Sequence, residues 1–254
     1  MALGSSERFD SRVADYVRWR PGYPDAALAL VTAELGLGPG VTVADIGAGT
    51  GILTRPLLET GADVIAIDPN ANMRAAAATM LGDAPNLRIR EGTAEQTGLP
   101  DQSLDAIAVG QAFHWFSHVR AREEARRILR PGGKVVLLWN SKQWEASPLL
   151  AGYRALLDEL APEFAVIRHE TTGEAEIDEF YGTPPALHTF EHAQRFDWDG
   201  LYGRVMSASY APQPGAAGHE ALVAGLRRLF AANVEANGTV AWPYSTMVYV
   251  GTLS

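Results

Sequence analysis

Residues 43–51 read VADIGAGTG, an apolar run that leads into an aspartate and then three glycines at alternate positions. The run predicts a buried β-strand, and the residues after the glycines carry a helical pattern. A glycine turn between a strand and a helix lies at the carboxyl edge of an α/β sheet, where ligands bind. This stretch therefore predicts a fold of the α/β class and a place where the backbone closely approaches a ligand.

Short apolar runs alternate with longer amphipathic segments between residues 41 and 140. The runs are apolar on both faces and rich in β-branched residues, as expected of strands buried in a parallel sheet. They are VTVADIG (41–47), DVIAID (63–68), NLRIREG (86–92), LDAIAVG (104–110) and GKVVLLWN (133–140). Helices are predicted between them at 50–61, 69–81 and 117–133, the last stopped by Pro-Gly-Gly. Such repeated βα units predict an open, doubly wound sheet.

The segments on either side of this core have weaker patterns. Before it, ERFDSRVADYVRWR (7–20) predicts an amphipathic helix that ends before Pro21. After it, helices are predicted at 147–164 and 218–237, and antiparallel strands at one sheet edge are predicted at 187–198 and 239–253. We interpret the chain as one domain, with an N-terminal helical lid (1–40), a cofactor-binding core (41–140), and a substrate-selecting segment with the C-terminal strands (141–254).

The composition excludes several classes of function. A net charge of −9, without a dense block of Lys or Arg, disfavours nucleic acid as a partner. The absence of cysteine excludes disulfides, thiolate metal sites and cysteine nucleophiles. The sequence shows neither a signal-peptide pattern nor an apolar run of membrane-spanning length. The expectation is a soluble cytoplasmic protein.

The spacing of the glycines bears on the nature of the ligand. A dinucleotide site has the pattern G-x-G-x-x-G, whereas Gly47, Gly49 and Gly51 give G-x-G-x-G. Asp45 lies two residues upstream, where a carboxylate would repel a pyrophosphate but would suit a ligand that carries an ammonium and a sulfonium. Asp68 ends the second strand, where an acid can accept both hydroxyls of a ribose. An alternative for Asp68 is the N-cap of the helix that follows Pro69.

Two further segments follow predicted strands at the same edge. The polar loop after Glu91 brings Thr93, Ala94 and Glu95 to a position from which they could read an adenine edge. The strand LDAIAVG leads into QAFHWF (111–116), an aromatic cluster that contains one histidine.

These four motifs, in this order, resemble the class I S-adenosylmethionine-dependent methyltransferases. VADIGAGTG is similar to the family's glycine motif, AIDPN to its ribose-binding acid, LDAIAVG to its fourth strand and RPGGKVVLLWN to its fifth. FDSRVADYVRWRPGYP, GQAFHWF and WPYSTMVYV resemble the small-molecule subgroup that includes trans-aconitate methyltransferase. The resemblance implies a seven-stranded Rossmann-like sheet with a helical lid and an antiparallel C-terminal strand.

The resemblance also implies S-adenosylmethionine as the cofactor and assigns residues to it. The methionine part would lie along the glycine turn, with its ammonium at Asp45 and its carboxylate near the N-terminal helix. The ribose would lie at Asp68, the adenine at the loop after Glu91, and the floor of the site at the end of the fourth strand. The cofactor residues so implied are Tyr16, Arg20, Asp45, Gly47, Ala48, Gly49, Gly51, Asp68, Pro69, Asn70, Met73, Thr93, Ala94, Glu95, Gly110 and Gln111.

His114 is the candidate catalytic residue. A neutral imidazole can take a proton from a hydroxyl or carboxyl nucleophile, although His114 could instead only orient the substrate. Its neighbours Phe113 and Trp115 are candidates for the substrate pocket, with packing in the core as the alternative. His188 and His192 do not form a convincing metal site, because a predicted strand does not give them a suitable geometry and a third ligand is not evident.

The function that we expect is methyl transfer to a small-molecule acceptor. Such a reaction is an in-line displacement, so positioning of the nucleophile and exclusion of water should supply most of the catalysis. Three alternatives stay open. They are use of the same cofactor for chemistry other than methylation, such as cyclisation, an NAD(P) oxidoreductase, and a non-catalytic binding module.

Overall fold

The protein is described by a computed structural model that covers residues 19–161, 164, 173–208 and 210–254. Most of the helix predicted at 7–20 therefore lies outside the described residues, and so does Tyr16. The described chain begins with Trp19, which is helical, and Arg20, and residues 21–24 then belong to neither a helix nor a strand. The prediction for Tyr16 consequently stays a prediction.

The centre of the protein is a single sheet of seven strands in the order β3-β2-β1-β4-β5-β7-β6. The first five strands are parallel to one another, and β7 runs antiparallel to both of its neighbours. This confirms the predicted fold class. The strands are β1 (Thr42–Ile46), β2 (Asp63–Ile67), β3 (Leu87–Arg90), β4 (Leu104–Gly110), β5 (Leu129–Lys142), β6 (Ala186–Phe196) and β7 (Val240–Thr252).

There are eight described α-helices, of which the first precedes β1 and the other seven lie between strands in the sequence. They are α1 (Asp25–Leu35), α2 (Thr54–Glu59), α3 (Ala71–Leu81), α4 (His118–Ile128), α5 (Pro148–Leu160), α6 (Glu174–Tyr181), α7 (Trp198–Met206) and α8 (His219–Asn233). A short 3₁₀ turn covers Phe113–Trp115. The longest of these helices has 15 residues, and none of them is both long and apolar enough to span a membrane.

The C-terminal end of helix α4 and the place of β7 differ from the sequence-based expectations. The Pro-Gly-Gly of residues 131–133 does not follow helix α4, because that helix already ends at Ile128 and the three residues belong to β5. The C-terminal strand β7 is not at the sheet edge, since it pairs with β5 on one side and with β6 on the other. Strand β6 is the edge strand instead.

The buried side chains form three apolar clusters. One covers the sheet face under α4 and α6, and a second covers the opposite face under α1 and α2. Strand β5 serves both, because Val135 and Leu137 point to one face while Val136 and Leu138 point to the other. The third cluster packs α5, α7 and α8 against the N-terminal half of β7. It forms a separate apolar core beside the carboxyl edge of the sheet.

Candidate functional site

The glycine turn after β1 adopts a backbone that side chains disfavour. Gly47, Gly49 and Gly51 have φ angles of +74°, +56° and +87°. The amides of Gly47 and Ala48 both donate to the carbonyl of Ile67 at 2.8 and 3.0 Å, which ties the turn to the end of β2. A Cβ on Gly47 would lie 2.5 Å from the Cβ of Ala112, so the turn also packs tightly against the segment after β4. The turn is thereby fixed at the carboxyl edge.

The larger of two cavities at this edge has a volume of about 290 Å³. The glycine turn, the end of β2, the loop after β3 and the segment after β4 surround it. Most of the implied cofactor residues line it. Its lining residues are Gly47, Gly49, Asp68, Pro69, Asn70, Met73, Gly92, Thr93, Ala94, Glu95, Gly110, Gln111, Ala112, Trp115 and Phe116.

Asp68 points both carboxylate oxygens at backbone amides beside this cavity. Oδ2 accepts from the amide of Gly49 and Oδ1 from that of Asn70, each at 2.8 Å. The N-cap of α3 is Asn70, whose side chain accepts from the amides of Asn72 and Met73, so the capping alternative for Asp68 is not what the structure shows. Burial raises the pKa of Asp68, and the two amides partly oppose that shift. A carboxylate has further lone pairs with which to accept ligand hydroxyls.

The smaller cavity, of about 110 Å³, lies on the other side of the glycine turn. It shares with the larger cavity the residues Gly47, Gly49, Gly110 and Gln111. Its other lining residues are Arg20, Pro21, Tyr23, Asp45, Ala48, Thr50, Ile52, Leu53, Asn140, Lys142, Arg204 and Tyr244. The two cavities therefore meet where β1 and β4 end.

Asp45 is only 1% exposed and lines the smaller cavity. Its Oδ2 accepts from the hydroxyl of Thr54 at 2.6 Å, whereas its Oδ1 and the nearby hydroxyl of Thr50 have no hydrogen-bond partner among the described residues. Burial raises the pKa of Asp45 to about 7, and the neighbouring carboxylate of Asp68 adds to the shift. A ligand ammonium would satisfy both the unpartnered oxygen and the charge. The chemistry of the site thus fits the amino-acid end of S-adenosylmethionine.

The segment at residues 19–23 covers the smaller cavity. Arg20 lines the cavity, and its Nη2 donates to the carbonyl of Ser207 at 3.1 Å. The carbonyl of Gly22 accepts from the side chain of Asn140 at 2.9 Å. Tyr23 lies so close to β4 that a Cβ on Gly110 would be 2.5 Å from its hydroxyl. The segment is thus held against the ends of β4 and β5, beside α7.

Gln111 has a φ of +58°, a conformation that is uncommon for a residue other than glycine. Its amide donates to Leu138 and its side chain to the carbonyl of Asn140, at 3.0 and 3.2 Å. Backbone strain of this kind often marks a ligand site. Glu95, on the opposite wall of the larger cavity, accepts from the amide of Ser117 at 2.7 Å, which fastens the loop after β3 to the start of α4.

The aromatic segment after β4 divides between core and cavity. Phe113 is fully buried, stacks on His118 with ring centroids 4.3 Å apart, and lines neither cavity. Trp115 is 42% exposed and lines the larger cavity together with Phe116. His114 also lines neither cavity and packs on Trp115 and Trp139. Burial, assisted by His118, lowers the pKa of His114 to about 4.

The structure also differs from the implied site at Gly51, which lines neither cavity and instead packs against Leu81. Residues that sequence reasoning missed lie in the smaller cavity. Lys142, Arg204 and Tyr244 come from β5, α7 and β7, and nothing local in the sequence connects them. Among the described residues, no group of three or more histidines and carboxylates is placed to hold a metal ion.

Comparisons with known proteins bear on the family and the fold of the chain. A family model described as "Methyltransferase domain" matches residues 44–137. An uncharacterized methyltransferase of Mycobacterium tuberculosis is 42% identical over 134 residues, which are 53% of this chain and 52% of that protein. The solved structure of a putative type II methyltransferase from Anaeromyxobacter dehalogenans, 22% identical, superposes with a TM-score of 0.61 over 92% of this chain and 98% of that one.

The length of the match differs between relatives. The chain spans about half the length of the mycobacterial relatives that it matches. An uncharacterized methyltransferase of Anoxybacillus flavithermus is 32% identical over 167 residues, which are 63% of this chain and 76% of that protein. This match covers 76% of the Anoxybacillus relative, and the sheet order is the one described above. The chain therefore belongs to the family of class I S-adenosylmethionine-dependent methyltransferases.

Proposed function

We propose that the protein transfers the methyl group of S-adenosylmethionine to a carboxylate, hydroxyl or amine of a small-molecule acceptor. This is the activity expected from its resemblance to the subgroup that includes trans-aconitate methyltransferase. The observation that carries this proposal is the meeting of the two cavities at the ends of β1 and β4. The smaller cavity has a buried, unpartnered carboxylate oxygen on Asp45, and the larger one has the carboxylate of Asp68. Together they suit a ligand with an ammonium at one end and a ribose at the other.

The residues that would hold the cofactor follow from their places in the cavities. Asp45 and Arg20 would hold the ammonium and the carboxylate of its amino-acid end. Asp68 would accept the ribose hydroxyls, and Thr93, Ala94 and Glu95 would lie at the adenine. When bound, S-adenosylmethionine supplies a methyl group on a sulfonium, which becomes a neutral thioether as a lone pair of the acceptor forms the new bond. Tyr16 remains part of the proposal as a second group near the cofactor carboxylate.

The contribution of this chain to the reaction is mainly positioning. The strained backbone of Gln111 and the close packing of Gly110 on Tyr23 fix the floor where the cavities join. Trp115 and Phe116 line the larger cavity with apolar rings, which would limit the access of water once a ligand fills it. A fixed, water-poor site favours a displacement that depends on alignment of the nucleophile.

His114 stays our candidate for a proton acceptor, and it is needed only for an acceptor that carries a proton. With a pKa of about 4 the imidazole is neutral at pH 7 and able to take a proton, but it is a weak base. If it acts as the base, His114→Gln should lower turnover by roughly 10²–10⁴-fold and abolish an acid limb near pH 4 in the rate profile. If the variant keeps both the turnover and the acid limb of the rate profile, His114 is not the base.

Calorimetry with the purified protein tests the cofactor. S-adenosylmethionine and S-adenosylhomocysteine should bind, and NAD should bind much more weakly. Tighter binding of NAD would overturn the proposal in favour of an oxidoreductase. Mass spectrometry of small-molecule extracts incubated with protein and cofactor should then show a product heavier by one methyl group. Intact cofactor after turnover would indicate chemistry other than methylation.

A further inference from the structure

Two cations from distant parts of the chain face the smaller cavity. Lys142 ends β5, and Arg204 lies in the last turn of α7. Arg204 is 3% exposed, and Lys142 is partly exposed where it borders the cavity. Aromatic rings surround them. The Lys142 ammonium lies 5.0 Å from the ring centre of Trp144, and the Arg204 guanidinium lies 5.6 Å from that of Trp242.

Within the described part of the chain, neither Lys142 nor Arg204 forms a salt bridge with a carboxylate. The salt bridges that the described residues form all join other side chains. Of the described residues that line the smaller cavity, Asp45 is the one carboxylate, and its own pKa is raised. Buried positive charge is costly unless it is paired. This part of the cavity therefore favours an incoming anion.

The two cations also act on the phenol of Tyr210, which is buried near them. Burial alone would raise the pKa of Tyr210, but attraction by Lys142 and Arg204 lowers it below its ordinary value. Burial likewise lowers the pKa of Lys142 itself, and Tyr210 partly opposes that shift. The direction for Tyr210 is that of a surrounding that stabilises negative charge, whereas the direction for Lys142 reflects its burial. An anion between the two cations would have little solvent screening, which strengthens the attraction.

A hydrogen-bonded chain fixes the orientation of Arg204. Its Nε donates to the hydroxyl of Tyr244 at 2.9 Å, and that hydroxyl donates to Gln194 at 3.0 Å. Its Nη1 lies 3.5 Å from the hydroxyl of Ser207. Among the described residues these bonds do not involve Nη2 of Arg204, and Lys142 lines the same cavity. Two donors of this kind match the two oxygens of one carboxylate.

We propose that Lys142 and Arg204 form an anion subsite that holds a carboxylate of the methyl acceptor. This inference rests on the proposed function and narrows its substrate class to acceptors that carry a carboxylate. The cofactor has a carboxylate as well, and Arg20, which is proposed to hold it, lines the same cavity as Lys142, Arg204 and Tyr244. The second measurement below distinguishes these two sources of a carboxylate. A carboxylate held here would bring the acceptor to the junction of the two cavities.

Calorimetry on the full chain saturated with S-adenosylhomocysteine tests the subsite. The probes are citrate and succinate, with neutral succinamide and inorganic phosphate for comparison. We expect the carboxylates to bind, succinamide not to bind, and phosphate to bind more weakly than citrate. In Lys142→Met the citrate dissociation constant should rise by roughly tenfold or more, as for loss of a charge-assisted hydrogen bond. Lys134→Met, on the same strand but paired with Glu34 at the surface, should leave it unchanged.

A second measurement identifies the source of the carboxylate. Lys142→Met should bind S-adenosylhomocysteine and 5′-methylthioadenosine, which lacks the amino-acid end, as the unmodified protein does. If the variant loses affinity for the first ligand and keeps it for the second, the pair holds the cofactor instead and the inference is overturned. Binding of succinamide as tight as that of succinate, tighter binding of phosphate than of citrate, or no binding of any carboxylate probe also overturns it. Failure to bind S-adenosylhomocysteine at all would refute the proposed function rather than the subsite.

Discussion

At the scale of single residues, Asp45 carries a pKa that ligand binding should change. Burial raises this pKa to about 7, so the folded protein holds the proton more tightly than the unfolded chain, and ligand-free stability falls as pH rises from about 4 to about 7. A ligand ammonium favours the charged carboxylate. S-adenosylhomocysteine binding at about pH 6.5 should therefore release a proton. Calorimetry in MES and in imidazole buffer measures this release, and the same buffer dependence in Asp45→Asn would assign the proton to another group.

Asp68 combines a structural role with its proposed binding role. Asp68→Ala removes the acceptor for the amides of Gly49 and Asn70, so the free energy of unfolding without ligand should fall by about 1–3 kcal/mol. Affinity for S-adenosylhomocysteine should fall as well. Asp63→Ala, at the exposed start of the same strand, is the matched control. Urea denaturation and calorimetry would contradict the dual role if the Asp68 variant kept either full stability or full affinity.

At the scale of elements, Tyr23 packs closely on Gly110 of β4 and so links the segment at residues 19–23, which covers the smaller cavity, to the sheet. Gly110→Ala would place a methyl group 2.5 Å from the Tyr23 hydroxyl, which should destabilise the protein by about 1–3 kcal/mol. In a Tyr23→Phe background the same substitution should cost clearly less, because the hydroxyl is gone. Urea denaturation of the four proteins measures the coupling. If Gly110→Ala lowers the free energy of unfolding equally in both backgrounds, the segment at residues 19–23 does not pack on Gly110 through the Tyr23 hydroxyl.

Local patterns account for what the sequence predicts well at this scale. Strands β1 to β5 and their helices follow from apolar periodicity and from glycine turns, which are properties of adjacent residues. Helix α7 was not predicted, because Gly200 and Gly203 weaken its helical pattern. The place of β7 and the meeting of Lys142 with Arg204 depend on pairing between distant residues. The glycine turn and Asp68 are recognisable within short motifs, whereas a lone lysine and a lone arginine carry no such signal.

At the scale of the whole molecule, the proposed ligand should stabilise the fold unevenly. At a concentration a hundred times its dissociation constant, S-adenosylhomocysteine should add about 2.7 kcal/mol and raise the melting temperature by roughly 5–10 °C. Hydrogen exchange should slow at 45–51, 68–73, 92–95 and 110–116, which surround the larger cavity or join it to the smaller one. Helices α5 and α8 pack away from these segments and should change little. Equal protection throughout the chain would indicate global stabilisation without a defined site.

The position of β7 has a consequence for how the chain folds. This strand follows all others in the sequence, yet it lies between β5 and β6 and pairs residues as distant as Lys134 and Thr252. During synthesis on the ribosome, β1 to β5 can assemble early. The amides and carbonyls along one edge of β5 then remain unpaired until β7 has been synthesised. Pairing at such long sequence separation is slow. The nascent protein should therefore pass through an aggregation-prone intermediate, and chaperones that shield strand edges should raise its soluble yield.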